Sequence, residues 1–125
     1  MFVCDPSGVP NTSNNQSYFH LSSDGGATWA FEDVEGGSTD PRNYAYEGGD
    51  CDVAFDDAGT MYSADTWLGN LSVGHSFDAG ATWSGRSLAT STPVVDRPWI
   101  VGGVEGTVYL AAIAADLLRV QQRQR

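Results

Sequence analysis

The densest gathering of reactive side chains is Tyr44-Ala-Tyr46-Glu47-Gly-Gly-Asp50-Cys51-Asp52, which sets phenols beside carboxylates. Asp50 and Asp52 could serve as an acid or as oxygen ligands for calcium, although the stretch lacks the spacing of a recognised calcium loop. No other cofactor or metal is expected. A second cluster, Asp96-Arg97-Pro98-Trp99, holds a guanidinium between a carboxylate and an indole. Pairing of Asp96 with Arg97 is its simplest use. Asp65, Trp67 and His75 stand apart, and His75 reads as a hydrogen-bonded structural imidazole. Asp56-Asp57-Ala58-Gly59 reads as a hairpin turn. Cys4 and Cys51 have no C-x-x-C spacing, so they make neither a zinc site nor a redox motif. Two half-buried thiols and one bridge are both compatible with the sequence.

Asp24 and Asp78 look catalytic in isolation, but each sits in a repeated octapeptide. Ser22-Ser-Asp24-Gly-Gly26-Ala-Thr28-Trp29 returns as Ser76-Phe-Asp78-Ala-Gly80-Ala-Thr82-Trp83, and both satisfy S-x-D-x-G-x-T-W. The physical use of such a segment is local. Gly26 and Gly80 can adopt positive φ in a tight hairpin, the Asp carboxylate can accept backbone N–H groups, and the Thr hydroxyl can close the turn. Trp29 and Trp83 then offer large apolar bodies to a neighbouring sheet. Both segments are assigned to structure.

The elements that must position these residues follow from a second repeat. Asp52-Val-Ala-Phe, then Gly59-Thr60-Met-Tyr62-Ser-Ala64, matches Asp96-Arg-Pro-Trp, then Gly106-Thr107-Val-Tyr109-Leu-Ala111. Each is a hairpin. Hairpin, apolar strand, octapeptide and strand make four strands per unit, which is the content of a propeller blade. The expected fold is all-β, a fragment of a β-propeller with four-stranded antiparallel blades. Residues 17–22 and 29–34 are read as the outer strands of one blade. Residues 52–56, 60–67, 71–76 and 83–89 form a complete blade, and 97–102 with 107–114 begin a third. Residues 1–16 form an N-terminal segment or loop, although Met1–Cys4 reads like the inside of a strand. Residues 17–114 are the partial propeller, and 115–125 are an atypical basic, helix-compatible tail. Blades hide their faces against one another, so self-association through exposed faces is expected, and a closed ring calls for more chain than is present.

All sixteen acidic side chains lie within residues 1–116, against Arg42, Arg86 and Arg97 alone. Such a surface repels phosphate backbones, which argues against nucleic acid as a partner. No apolar stretch is long enough to span a bilayer, and no signal peptide opens the chain. Neither a nucleic acid nor a membrane is expected as a partner.

The paired S-x-D-x-G-x-T-W segments and the two hairpins resemble the bacterial neuraminidase repeat, or Asp-box, family over about residues 17–113. That family includes the exo-α-sialidases, six-bladed propellers that remove terminal sialic acid from glycans. The resemblance implies a secreted glycoside hydrolase, or a non-catalytic propeller that binds glycans or proteins. Retaining sialidases set three arginines on the substrate carboxylate and use a Tyr nucleophile assisted by a Glu, with an Asp acid/base. Arg97, which precedes a Pro at the head of a strand, is the nearest match to the first family arginine, which sits in an aromatic-Arg-Ile-Pro motif. Here Asp96 replaces the aromatic and the Ile is missing. Tyr46 and Glu47 stand for the Tyr/Glu pair, and Asp52 for the acid. Asp50, Asp65, Trp67, Asp96 and Trp99 are the substrate-binding candidates, and the ligand would be a sialoside. A full arginine triad is not present, so the chain by itself is expected to be inactive.

Overall fold

Short runs of β-branched and aromatic residues, broken by turns of Gly, Asp and Ser, favour extended backbone, and the chain is all-β. The computed structural model describes residues 1–6, 17–32, 49–67, 70–89, 95–114 and 117–123. Among the described residues there is no helix, and so none long and apolar enough to cross a membrane. The strands are β1 (Phe2–Asp5), β2 (Tyr18–Leu21), β3 (Ala30–Glu32), β4 (Cys51–Phe55), β5 (Met61–Trp67), β6 (Asn70–Ser76), β7 (Ser84–Ala89), β8 (Val95–Gly102), β9 (Val108–Ala114) and β10 (Leu117–Arg123). They form three antiparallel sheets in chain order, β1-β2-β3, β4-β5-β6-β7 and β8-β9-β10.

The tail differs from the sequence reading, whereas at the start of the chain the strand reading of Met1–Cys4 holds within the segment taken as a loop. The segment 1–16 supplies a strand, because β1 pairs with β2 from Phe2↔Leu21 to Asp5↔Tyr18. The Met1 carbonyl accepts the Ser22 N–H at 2.8 Å, as Met61 lies opposite Ser76 in the second sheet. Thus β1 holds in the first sheet the place that β5 holds in the second, and no described strand stands in the place of β4. The tail, read as helix-compatible, is instead β10, paired along β9 from Leu117↔Ala114 to Arg123↔Val108. A short isolated helix is marginal in water, whereas the edge of β9 offers a full row of backbone partners.

The second sheet is covered on both faces. Towards the first sheet, Phe2, Phe19 and Met61 are buried together, with Cys4, Leu21, Cys51, Val53 and Trp83 packed around them. The Phe2 ring lies 5.4 Å from that of Trp83 and 5.9 Å from that of Phe19. A disulfide joins Cys4 of β1 to Cys51 of β4, with 6.2 Å between the Cα atoms. Towards the third sheet, Tyr62, Ala64, Leu71 and Val73 pack on Ile100, Val108, Leu110 and Ala112. Alternate residues of β5 therefore serve opposite cores, which explains why burial runs unbroken through its middle. At Gly102 a Cβ would collide with the Phe55 carbonyl, so a bare backbone lets β8 come up against β4.

Candidate functional site

Pro98 cannot donate to a ladder, and its position inside β8 forces an irregularity. Asp96 pairs with Ile113 and Trp99 with Ala111, so the bulge between them carries one extra residue. Arg97 absorbs it with a φ of 51°, in the left-handed region that side chains with a Cβ avoid. The bulge borders a cleft of about 310 Å³ lined by Pro6, Asp50, Cys51, Arg97, Pro98 and Trp99. Pro98 is buried, whereas Arg97 and Trp99 are exposed, so an indole face and a guanidinium both meet solvent there. The Arg97 Nε lies 3.9 Å from Asp96 Oδ2, and both side chains are more than half exposed, so this pairing holds the guanidinium only weakly.

Three elements build the cleft. Pro6 follows the end of β1, Asp50 precedes β4 and Cys51 opens it, and Arg97 lies near the start of β8. The Cys4–Cys51 bridge fastens the first two. The turns at Asp24, Asp56 and Asp78 lie at the opposite ends of the strands. Asp50, distant in the sequence, thus comes together with Arg97 and Trp99 of the second cluster, with Asp96 beside them.

Other candidates take different places. Asp52 accepts the Val53 N–H at 2.9 Å through Oδ1 and the Ile100 N–H at 2.9 Å through Oδ2, tying β4 to β8. Asp65 is buried and accepts the Ser17 hydroxyl at 2.8 Å and the Ser17 N–H at 2.7 Å, tying β5 to the entry of β2. Neither lines the cleft; both carboxylates are occupied in joining sheets. Trp67 ends β5 opposite Asn70. Tyr46 and Glu47 lie outside the described residues. Among the described residues, no three or more His, Cys, Asp or Glu gather as a metal-binding group.

The two octapeptides share four internal hydrogen bonds. Asp24 Oδ1 accepts from the Ser22 hydroxyl at 2.8 Å and the Thr28 N–H at 2.9 Å, and Oδ2 from the Thr28 hydroxyl at 2.6 Å. Asp78 repeats this with Ser76 and Thr82 at 2.8, 2.8 and 2.6 Å. The Ser22 and Ser76 hydroxyls accept the N–H groups of Gly26 and Gly80, at 2.8 and 2.9 Å. Both glycines have a φ of 94°. The Thr28 hydroxyl above all, then its N–H and the Ser22 hydroxyl, hold the Asp24 carboxyl well below its ordinary range; Thr82 and Ser76 do the same for Asp78. Such carboxylates are poor proton donors at neutral pH. Trp83 wedges against Phe2 with its indole N–H buried and without a hydrogen-bond partner, whereas the Trp29 N–H donates to the Gly26 carbonyl at 3.1 Å.

Chemically, the described lining of the cleft offers one guanidinium, one carboxylate and an indole face, and no hydroxyl. That set can hold an anion against an apolar ring face. The chain matches no family model, no curated protein and no solved structure. Sequence reasoning missed Pro6, Cys51 and Pro98 as walls of the cleft and Asp56 as a link between sheets. Arg-Pro inside an apolar strand was the available signal for the bulge.

Proposed function

We propose that the chain forms consecutive blades of a sialidase-like Asp-box β-propeller, and that its Arg97 cleft binds the carboxylate of a terminal sialic acid. Support for the propeller comes from three antiparallel meanders packed face to face and from two turns that share the same Ser, Asp and Thr hydrogen bonds. The observation that carries the ligand is Arg97, held at a φ of 51° on a bulge beside Trp99. Strain of this kind costs about 1–3 kcal/mol and persists where the surroundings or a task require it. A sugar carboxylate would take the guanidinium fork while Trp99 packs on the ring.

The parent reaction in this reading is hydrolysis of a terminal sialoside, but the described lining supplies only the holding of the anion. Among the described residues that line it, Asp50 is the one carboxylate and none is a phenol. This favours glycan binding by a non-catalytic propeller as the second reading. Titration with N-acetylneuraminic acid and with its methyl ester, followed by Trp fluorescence and NMR, tests the ligand. Binding of the acid, loss of binding for the ester and loss in Arg97→Ala are expected. Equal response to acid and ester would overturn the reading. A fluorogenic sialoside then separates enzyme from binder, since a binder gives no turnover.

A further inference from the structure

The first and third sheets each turn one apolar face to solvent. On the first, Val3, Tyr18, Trp29 and Phe31 are exposed; on the third, Trp99, Val101, Tyr109 and Ile113. In β8 and β9 these four alternate with the buried Ile100, Val108, Leu110 and Ala112, so they share one face. Tyr18 and His20 likewise pack edge-on against Phe31, at 6.5 and 6.0 Å, on the face away from Phe2 and Phe19. Contiguous apolar surface of this kind marks an interaction site.

The molecule itself shows what each face fits. Between the first and second sheets, the octapeptide indole Trp83 packs on Phe2. Trp29 is the repeat counterpart of Trp83. Phe2 stands in β1 where Tyr62 stands in β5, because Phe2 pairs with Leu21 and Tyr62 with His75, each one residue before an octapeptide serine. Tyr109 is the counterpart of Tyr62 in the repeated Gly-Thr-x-Tyr hairpin. The exposed face of the third sheet therefore carries at Tyr109 the aromatic position that receives Trp83 at Phe2. The exposed face of the first sheet carries at Trp29 the indole that such a position receives.

We propose that a second copy of this chain covers these faces head to tail, Trp29 of one copy packing on Tyr109 of the next as Trp83 packs on Phe2 within the chain. The contact is heterologous, joining two different faces, and it closes into a ring or extends according to the rotation between sheets. Trp99 borders both surfaces, but the contact rests on the packing of the sheets and not on the ligand of the Arg97 cleft, so either can fail alone.

The test is the mass of the oxidised full chain by sedimentation equilibrium from micromolar to hundreds of micromolar. Association above the 13.3 kDa of one chain is expected. Trp29→Arg and Tyr109→Lys should each sediment as a monomer, since every contact then lacks one partner. Mixed in equal amounts, they should form a one-to-one dimer through the single pair of intact faces. Each variant is checked by circular dichroism, and if either fails to fold, Phe31→Lys and Val101→Lys repeat the test on the same faces. A wild-type chain monomeric throughout overturns the proposal, as do single variants that still self-associate or a mixture that stays monomeric.

Discussion

The Gly106 N–H donates to Asp56 Oδ2 at 3.0 Å, reaching from the hairpin of the third sheet to that of the second. The same carboxylate accepts the N–H groups of Ala58 and Thr60 at 3.0 and 2.8 Å and the Tyr62 hydroxyl at 3.1 Å. One buried side chain thus closes its own turn and docks the next sheet. Asp56→Ala leaves several donors without an acceptor and should cost about 2–4 kcal/mol. Urea unfolding followed by Trp fluorescence measures it. A loss no larger than that of the exposed neighbour variant Asp57→Ala would remove Asp56 from this role.

Acid should act through the same groups. Burial pushes the Asp56 carboxyl up, but its hydrogen bonds from Gly106, Thr60 and Tyr62 outweigh this and hold it below the ordinary 3.8. Asp24 and Asp78 are lowered by their Thr and Ser partners. Groups lowered in the folded state stabilise it fully above their unfolded value and lose that contribution as pH falls through the folded one. Stability from these three should therefore be constant from neutral pH down to the region of 3.8 and decline below it. Urea midpoints across that range check the sign; a decline centred near neutral pH would assign the acid response to other groups.

The two octapeptides make an internal comparison. Where the first has Gly25 at a φ of 77°, the second has Ala79 at 58°. A Cβ in the left-handed region costs about 1 kcal/mol or more, so Ala79→Gly should raise the melting temperature. Gly80→Ala should lower it, because its φ is 94° and a Cβ would stand 2.9 Å from the Leu21 side chain. Neither change should alter ligand response at the Arg97 cleft, which lies at the other end of the strands. A drop in melting temperature for Ala79→Gly would contradict this account of the turn.

These turns were legible in the sequence because their bonds span only a few residues and the octapeptide repeats. The strands of the second sheet were legible for a similar reason, β4 and β5 forming a hairpin of the repeated kind and β6 and β7 flanking the second octapeptide. What was not legible depends on the approach of distant segments. Asp56 reads as a plain hairpin aspartate until Gly106 comes within 3.0 Å of it. Asp52 and Asp65 read as candidate ligands until Ile100 and Ser17 occupy them. The pairing of β10 was hidden because a basic, Gln-rich segment follows helix propensity in isolation and strand geometry beside an open edge.

Arg97 allows stability and binding to be separated by one substitution. Its φ of 51° suits glycine, and its side chain is 67% exposed and only weakly engaged by Asp96 at 3.9 Å. Arg97→Gly therefore removes strain while giving up little packing, and a gain of about 1 kcal/mol is expected. The same change removes the one cation among the described residues that line the cleft, so response to N-acetylneuraminic acid should disappear while the melting temperature rises. Calorimetry of Arg97→Gly beside Arg97→Ala, which removes the cation but keeps the strain, reads both effects. Higher stability with unchanged binding would take the guanidinium out of the ligand site and leave the bulge as a purely structural device that seats Pro98.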